Sequence, residues 1–241
     1  MEERKQIEIE HYDQKAKELG RGPASSNLAS LKFVYKLLKE KCRGKLVLDY
    51  GCGNGVHTIA IAKTGVKKVI GIDLSEKSLE IARRAVPGAE FLKMDCEKME
   101  FPDNYFDVIF DGGTFSSLDL KLALPELARV LKPDGVLIGV ETFGHNPLTN
   151  LKRKLNKLTG KRTGWAAEHI FQEKDLKDAE RYFNRIKINY FHLISWAALP
   201  FLKYPGGGIF LRFLELIDKF FLLFPFLRKY AFKVVFILEK R

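Results

Sequence analysis

The stretch Val47-Leu-Asp-Tyr-Gly-Cys-Gly-Asn-Gly55 places three glycines at alternate positions directly after a short apolar run. The run Lys45–Asp49 is typical of a buried strand, and Val56–Lys63 follows a helical pattern. Glycines between a strand and a helix let a ligand approach the backbone where side chains would clash. The stretch therefore predicts a nucleotide-type site at the carboxyl end of a parallel strand.

Val56 excludes one nucleotide-binding signature, because the dinucleotide fingerprint GxGxxG requires a glycine at that position. A P-loop is excluded as well, since no Gly-Lys-Ser/Thr sequence follows. Asp73 ends the next predicted strand, 22 positions after Gly51, and Asp95 follows the strand after that. A carboxylate at the end of the second strand can bind both hydroxyls of a ribose. The acids and the glycines together favour a nucleoside-type ligand over a plain strand–helix turn.

Short apolar runs alternate with helical patterns as far as residue 142, which predicts βαβ units around a parallel sheet. The expected strands are Lys45–Asp49, Lys68–Asp73, Ala89–Met94, Phe106–Asp111 and Val136–Thr142. The expected helices are Val56–Lys63, one capped by Ser75 that runs to about Val86, and Leu120–Leu131, which ends at a Pro/Gly turn over Lys132–Gly135.

The regular alternation ends after residue 142. Residues 144–170 hold two histidines and a basic tract made of Lys152, Arg153, Lys154, Lys157, Lys161 and Arg162. Beyond them the pattern predicts a helix over Glu173–Phe183, a strand over Arg185–Ile194, an aromatic insert over 195–230 and a final strand over Ala231–Glu239. Five early strands and two late ones make a sheet of seven.

The net charge of +11 is confined to the last third of the chain. Residues 51–150 sum to −3, whereas residues 151–241 sum to +11 and hold 12 of the 19 phenylalanines. Within that third, Ile209–Leu227 is a broad apolar helix broken by charges, which lacks the roughly 18 uncharged residues of a membrane span. The sequence favours residues 205–230 as a lid over a substrate cleft or a dimer face. Basic flanks and aromatic residues also suit peripheral contact with a membrane.

Two further features bear on the cellular setting. The charged N-terminus lacks the apolar region of a signal peptide, and Cys42, Cys52 and Cys96 show no CxxC spacing. We therefore expect a cytoplasmic protein, a monomer or homodimer without a metal site, that contacts at most the inner face of a membrane. A nucleic-acid partner is less favoured, because no RNA-binding pattern accompanies the basic tract.

Residues 10–142 resemble the class I S-adenosylmethionine-dependent methyltransferases, in particular those of methyltransferase type 11. Leu48–Gly55 is similar to the first motif of that family, and Val69–Ser75 to its acidic second motif. Further similarity lies in His11–Ala16, Asp95-Cys96, Phe101–Asp111 and Leu127–Leu137. The resemblance implies methyl transfer from S-adenosylmethionine to a small-molecule acceptor. The basic, aromatic last third of the chain favours an acceptor that is lipid-like or anionic. An RNA methyltransferase and a non-catalytic S-adenosylmethionine-binding protein stay open as alternatives.

The resemblance implies a Rossmann-like sheet of seven mostly parallel strands with the last strand antiparallel and helices on both faces. We expect one domain over 1–241, divided into a helical lid (1–45), a cofactor-binding core (46–142), a substrate-side region (143–230) and a final strand (231–241). The family joins its last two strands by a short hairpin. Here about 36 residues, 195–230, intervene as a helical insert.

The cofactor site is likewise implied by the resemblance, residue by residue. Asp73 would hold the ribose hydroxyls, Leu74 would pack on the adenine, and Asp95 would accept from the adenine amino group. The whole implied set is Tyr12, Asp49, Gly51, Cys52, Gly53, Asn54, Gly55, Asp73, Leu74, Asp95, Cys96, Asp111 and Gly112. Cys52 and Cys96 also fit as small buried side chains without reactivity.

Catalysis by such a site rests mainly on alignment, because the methyl group of a sulfonium is already activated. A general base is needed only when the acceptor loses a proton. The candidates are His145 and His169, followed by Glu168 and Glu141. Asp111, at the end of the fourth strand, is expected near the methyl group, although it also fits as a plain strand-end cap.

Overall fold

The computed structural model describes residues 2–18, 28–158 and 162–240. Within these ranges one sheet of seven strands has the order β3-β2-β1-β4-β5-β7-β6. The strands are β1 Leu46–Tyr50, β2 Lys68–Asp73, β3 Glu90–Lys93, β4 Phe106–Asp111, β5 Leu131–Thr142, β6 Phe183–Phe191 and β7 Lys233–Lys240. The first five are parallel, and β7 runs antiparallel between β5 and β6. The predicted fold class is confirmed.

Helices flank this sheet and several begin at a side-chain cap. They are α1 Glu2–Glu18, α2 Ala29–Lys41, α3 Val56–Ala62, α4 Glu76–Ala85, α5 Leu120–Val130, α6 Pro147–Leu158, α7 Gly164–Glu168, α8 Glu173–Ala179, α9 Gly207–Phe221 and α10 Pro225–Arg228. Ser75 caps α4 by accepting from Ser78 N at 3.1 Å, and Thr163 caps α7 by accepting from Ala166 N at 3.1 Å. Such caps satisfy backbone N–H groups that a helix start leaves without partners.

The core lies on both faces of the sheet, since successive side chains of a strand point to opposite faces. Leu48 and Tyr50 of β1 join one buried cluster, and Val47 joins another together with Val34 and Leu38 of α2. Full burial of each such aliphatic side chain stabilises the fold by roughly 1.5–3 kcal/mol. The core thus includes α2, although residues 1–45 were expected to act as a lid.

The strand order reverses between β1 and β4. Tyr50 of β1 pairs with Ile72 of β2 on one side and with Asp111 of β4 on the other. Ligands of open α/β sheets bind in the crevice outside the carboxyl ends of the strands at such a switch point. The fold therefore directs attention to the residues that follow Tyr50, Asp73 and Asp111.

Three predicted boundaries were wrong. The expected Lys132–Gly135 turn lies inside β5, where the pairing with β4 jumps from Leu131 to Val136, because Asp134 adopts a φ of 59° and the four residues bulge out. The helix expected over Glu173–Phe183 ends at Ala179, because Phe183 is buried and pairs with Lys240 of β7. Strand β6 ends at Phe191, since His192 has a φ of 62°, which extended backbone does not allow.

The insert before β7, expected to be a lid over the substrate cleft or a dimer face, lies away from the crevice at the switch point. Helix α9 packs on the 3₁₀ turn Ser195–Phe201 and, through Leu211, on Leu28 and Ala198. It contributes no side chain to the crevice at the switch point, and most of its apolar residues are exposed. In the described parts of the chain, no helix has the length and apolar character needed to cross a bilayer.

Candidate cofactor-binding and active site

The turn after β1 requires glycine. Gly51 and Gly53 have φ values of 64° and 52°, which L side chains rarely adopt. A Cβ atom at Gly51 would lie 2.3 Å from Thr114 Oγ1, whereas nothing lies within 4 Å of a Cβ at Gly53. The turn therefore brings the backbone of Gly51 close to the loop after β4 and leaves open space beside Gly53.

Asp73 at the end of β2 is fixed by backbone donors. Gly53 N donates to Asp73 Oδ2 at 2.9 Å, and Ser75 N donates to Asp73 Oδ1 at 2.9 Å. Burial raises the pKa of Asp73, and these hydrogen bonds oppose that rise. A carboxylate offers about four acceptor positions, so Asp73 keeps acceptor capacity for a ligand diol.

A cavity of about 310 Å³ opens at the carboxyl ends of β1, β2 and β4. Eight of the predicted cofactor residues line it, namely Tyr12, Gly51, Gly53, Asp73, Leu74, Asp95, Cys96 and Gly112. Its volume lies in the range of small-molecule sites. Glycine backbone, a diol-binding carboxylate and the apolar Leu74 together fit a ligand that contains a nucleoside.

Five predicted cofactor residues do not line this cavity: Asp49, Cys52, Asn54, Gly55 and Asp111. Asp49 is buried beneath the turn and accepts from Thr58 Oγ1 at 2.5 Å, while burial raises its pKa to about 7. Cys52 packs among apolar side chains near Leu79. A Cβ at Gly55 would lie 3.0 Å from Ala82 Cβ, so this glycine lets α3 approach α4. Asp49, Cys52 and Gly55 support the turn from behind.

Helix α1 forms a wall of the cavity that the sequence did not predict in detail. Arg4 Nη2 donates to both carboxylate oxygens of Glu97 at 2.5 and 2.6 Å. Lys5 pairs with Asp95 and, at 3.2 Å, with Glu97. The hydroxyls of Tyr12 and Ser117 are 3.3 Å apart. The wall residues Arg4, Lys5, Glu8, Ile9 and Tyr12 share one helix face, and this spacing is the signal that could have found them.

Charged side chains gather beyond Gly112, at the carboxyl ends of β4 and β5. Asp111 is buried and its Oδ1 accepts from Thr114 N at 2.9 Å, while Glu141 Oε1 accepts from Phe115 N at 2.7 Å. Burial, and then the neighbouring Glu141 charge, raise the pKa of Asp111. Burial likewise raises the pKa of Glu141. Asp111 is thus buried, does not line the cavity, and orders the loop of Thr114.

Three cations face this carboxylate pair. Lys233 pairs in register with Thr142, interacts electrostatically with both carboxylates, and has a pKa lowered by burial. Burial lowers the pKa of the Arg153 guanidinium to about 10, although its Nη1 still donates to Asn150 at 2.6 Å. Arg162 Nη2 donates to Ser116 Oγ at 3.1 Å. Even with both carboxylates ionised, the cluster Asp111, Glu141, Arg153, Arg162 and Lys233 has an excess of positive charge.

The two predicted catalytic histidines lie outside the cofactor cavity. His169 is exposed and stacks on Trp165, with ring centroids 3.6 Å apart, beside a separate cavity of about 990 Å³. Glu168 pairs with Lys157 at 2.6 Å. His145 packs against Phe143, and its buried Nε2 has no hydrogen-bond partner within the described ranges. Their catalytic roles stay predictions.

His57, in the first turn of α3, is a histidine closer to the cavity. Its ring carbon Cδ2 would lie 2.7 Å from a Cβ at Gly112, and its Nδ1 is 3.3 Å from the Tyr35 hydroxyl. Burial, with a contribution from Lys233, lowers the pKa of His57 to about 4. The imidazole beside Gly112 is therefore neutral near pH 7.

Comparison with known proteins shows similarity to methyltransferases in the part of the chain that forms the cofactor cavity. Residues 48–139 match the family model described as a methyltransferase domain. A demethylmenaquinone methyltransferase of Staphylococcus aureus (strain MRSA252) is 38% identical over 106 residues, which cover 42% of this chain and 44% of the relative. The chain thus matches less than half the length of that curated relative.

Two solved structures extend the likeness to the whole fold. A SAM-dependent methyltransferase from Aquifex aeolicus is 26% identical with a TM-score of 0.53, covering 74% of this chain and 90% of the other. A SAM-dependent methyltransferase from Thermotoga maritima, described as a possible histamine N-methyltransferase, is 20% identical with a TM-score of 0.62 and covers 97% and 99% of the two chains. The second likeness concerns the fold alone.

Proposed function

We propose that the protein transfers a methyl group from S-adenosylmethionine to a small-molecule acceptor with an acidic group, and that residues 48–139, which match the methyltransferase-domain model, hold the cofactor. One observation carries the first half of the proposal. Asp73, held by Gly53 N and Ser75 N, lines a cavity together with the glycine turn. The acidic acceptor is inferred from the cationic cluster beyond Gly112.

S-adenosylmethionine supplies an already activated methyl group when it is bound. Asp73 would accept from the ribose hydroxyls, Leu74 would cover the adenine, and Gly51 and Gly53 would let the methionine part approach the backbone. The ion pairs of Arg4 and Lys5 hold α1 over the cavity and limit the access of water. These residues bind and align, and alignment supplies much of the acceleration in a direct displacement.

The acceptor would enter beside the loop after β4, where Arg162 contacts Ser116 and Lys233 lies near Glu141. Arginine and lysine in such a partly buried setting recognise carboxylate or phosphate groups. Glu141 is a candidate proton acceptor, since its raised pKa brings the carboxyl closer to neutral pH. His145 and His169 remain candidate proton acceptors, although both lie outside the cofactor cavity.

Nucleic acid is a weaker proposal for the acceptor. In the described part of the basic tract, Arg153 is buried and Lys157 pairs with Glu168. The described residues of the tract therefore do not form a continuous exposed basic surface of the kind that binds phosphate backbones. Two expectations about partners remain proposals: peripheral membrane contact of residues 205–230, and a monomer or homodimer in solution.

The cofactor proposal is tested by calorimetric titration of S-adenosylmethionine into Asp73→Asn. Loss of the hydrogen bonds between a charged carboxylate and two hydroxyls should weaken binding by roughly 100-fold or more, since each is worth about 1.5–3 kcal/mol. Glu80→Gln, an exposed acid on α4, is the matched control and should bind like the unaltered protein. Unchanged affinity in Asp73→Asn would refute the cofactor assignment.

The acceptor class is tested by mass spectrometry of small molecules that co-purify with the full chain. We expect a compound with a carboxylate or phosphate group, and its release by the double variant Arg153→Met, Lys233→Met. Circular dichroism and cofactor affinity show whether that variant is folded. Retention of a compound without acidic groups would contradict the assignment of the cationic cluster to the acceptor.

A further inference from the structure

Helix α9 exposes one apolar face along its length. Ile209, Phe213, Leu216 and Phe220 are 76%, 59%, 64% and 58% exposed, and their spacing of four, three and four residues places them on one side of the helix. The face continues past the helix in Leu223, Phe224 and Phe226 and is flanked by Phe210 and Phe221. The opposite side is anchored through Leu211, which is buried against Leu28 and Ala198.

The size of this face is unusual for a protein surface. Six exposed phenylalanines, each about half exposed and each with roughly 150–250 Å² of surface, present on the order of 600 Å² before the aliphatic residues are added. The largest apolar patch on a typical monomer is about 300–600 Å². Ring contacts join Phe220 to Phe224 at 5.8 Å and Phe224 to Phe226 at 6.0 Å, so the surface is continuous there. A surface of this size marks a binding face.

The charges of the same segment are sorted by side. The two acids point inward: Glu215 Oε1 accepts from Ala29 N at 2.9 Å, and Asp218 accepts from Ile194 N and Ser195 N at 2.8 and 3.1 Å. The exposed charges are cationic, and they are Lys203, Arg212, Lys219 and Lys229. The outward side of residues 201–230 therefore combines apolar side chains with positive charge only.

We propose that residues 201–230 are a membrane-docking surface, in which α9 lies in the plane of a lipid surface that carries anionic headgroups. Phenylalanine side chains would enter the boundary between headgroups and acyl chains, and the cations would contact lipid phosphates. Each cation near such a surface strengthens binding roughly five-fold. A helix of 15 residues is about 22 Å long, which suits a helix that lies on a bilayer.

The charges favour a membrane over a second copy of the chain. A two-fold dimer pairs the same patch on both subunits, so it would bring Arg212 and Lys219 toward their own copies while the local acids face inward. An anionic lipid surface neutralises the same cations. The docking goes beyond the methyl transfer proposed above and does not depend on it, because this surface shares no residue with the cofactor cavity.

The test is flotation of the full chain, without cofactor, on vesicles of phosphatidylcholine with and without phosphatidylglycerol. We expect binding to the anionic vesicles that weakens as salt rises. Phe213→Ser with Phe220→Ser should abolish it. Arg212→Gln with Lys219→Gln should weaken it roughly 30-fold, the equivalent of about 2 kcal/mol. Leu151→Ser and Lys98→Gln, exposed residues on other elements, are the matched controls and should bind like the unaltered protein.

Several outcomes would overturn the docking surface. These are absence of binding at low salt, equal binding to neutral vesicles, and equal loss of binding in the Leu151→Ser control. A lipid-free dimer that Phe213→Ser with Phe220→Ser converts to a monomer would assign the face to self-association instead. Unchanged melting and unchanged S-adenosylmethionine affinity in the α9 variants show that they are folded and separate this result from a failure of the cofactor site.

Discussion

The cofactor cavity and the outer side of α9 depart from an ordinary protein surface in opposite ways. At the cavity, charged side chains are buried and held in place, as Asp73 is by Gly53 N and Ser75 N. On α9, large apolar side chains such as Phe213 are exposed, and the acids are the groups turned inward. Burial of charge and exposure of apolar surface both cost free energy in isolation. Each region is therefore suited to bind a partner outside the chain: a ligand in the cavity and a lipid surface on α9.

The largest effect that separates the two regions is expected from Gly51→Ala. Its Cβ would lie 2.3 Å from Thr114 Oγ1 at a φ of 64°, so the turn and the loop after β4 must move apart. We expect S-adenosylmethionine affinity to fall by roughly 5- to 150-fold, because overpacking of this kind costs about 1–3 kcal/mol and displaces the turn that contacts the ligand. Vesicle binding should not change.

Gly44→Ala is the matched control for this substitution. Gly44 has a φ of 69°, so the strain on its backbone is similar, yet nothing lies within 4 Å of its Cβ. The control should lose stability by about 1 kcal/mol and keep its cofactor affinity. Equal loss of affinity in both variants would show that the contact with Thr114 is not the cause. Loss of vesicle binding in Gly51→Ala would show that the two regions are not independent.

A smaller effect is expected where the insert joins the core, at His192. This buried imidazole lies 3.0 Å from Ser30 Oγ through Nε2 and 2.8 Å from Ser195 Oγ through Nδ1. Burial, with Lys233 adding to it, lowers the pKa of His192 from 6.5 to about 4. The unfolded chain therefore binds a proton that the folded chain does not over this range.

Stability contributed by His192 is present above about pH 6.5 and is lost as the pH falls toward about 4. The loss amounts to at most about 3 kcal/mol, at 1.36 kcal/mol per pKa unit. The free energy of unfolding, measured with urea at each pH, should vary less with pH in His192→Gln than in the unaltered protein. The same pH dependence in His192→Gln and in the unaltered protein would contradict the prediction.

The cofactor region was the part most open to prediction from sequence. The glycines of the turn, Asp73 and Leu74 follow one another within short segments whose strands and helices are set by local pattern. Since parallel strands present their carboxyl ends at one edge, predicting the strands was enough to bring Gly51, Asp73, Asp95 and Gly112 together. Asp49 and Asp111 also lie at strand ends, but both are buried and neither lines the cavity.

Other features depend on contacts between distant segments, and local sequence patterns do not predict such contacts. Arg4 and Lys5 pair with Glu97 and Asp95 across about 90 positions, so no local sequence pattern predicts these ion pairs. Lys233 approaches Glu141 only because β7 returns antiparallel beside β5. The bulge over Lys132–Gly135 was taken for a turn because Pro and Gly favour both.

The sequence by itself determined the sheet of seven strands, the glycine turn and the separation of charge between the core and the last third. These follow from local periodicity and composition, which act on neighbours along the chain. Only the tertiary structure decided that α9 buries Leu211 and leaves Phe213 exposed, because one helical pattern suits a buried lid and a surface face equally. Which face of a helix meets solvent is set by the elements it packs against, and these lie far away in sequence.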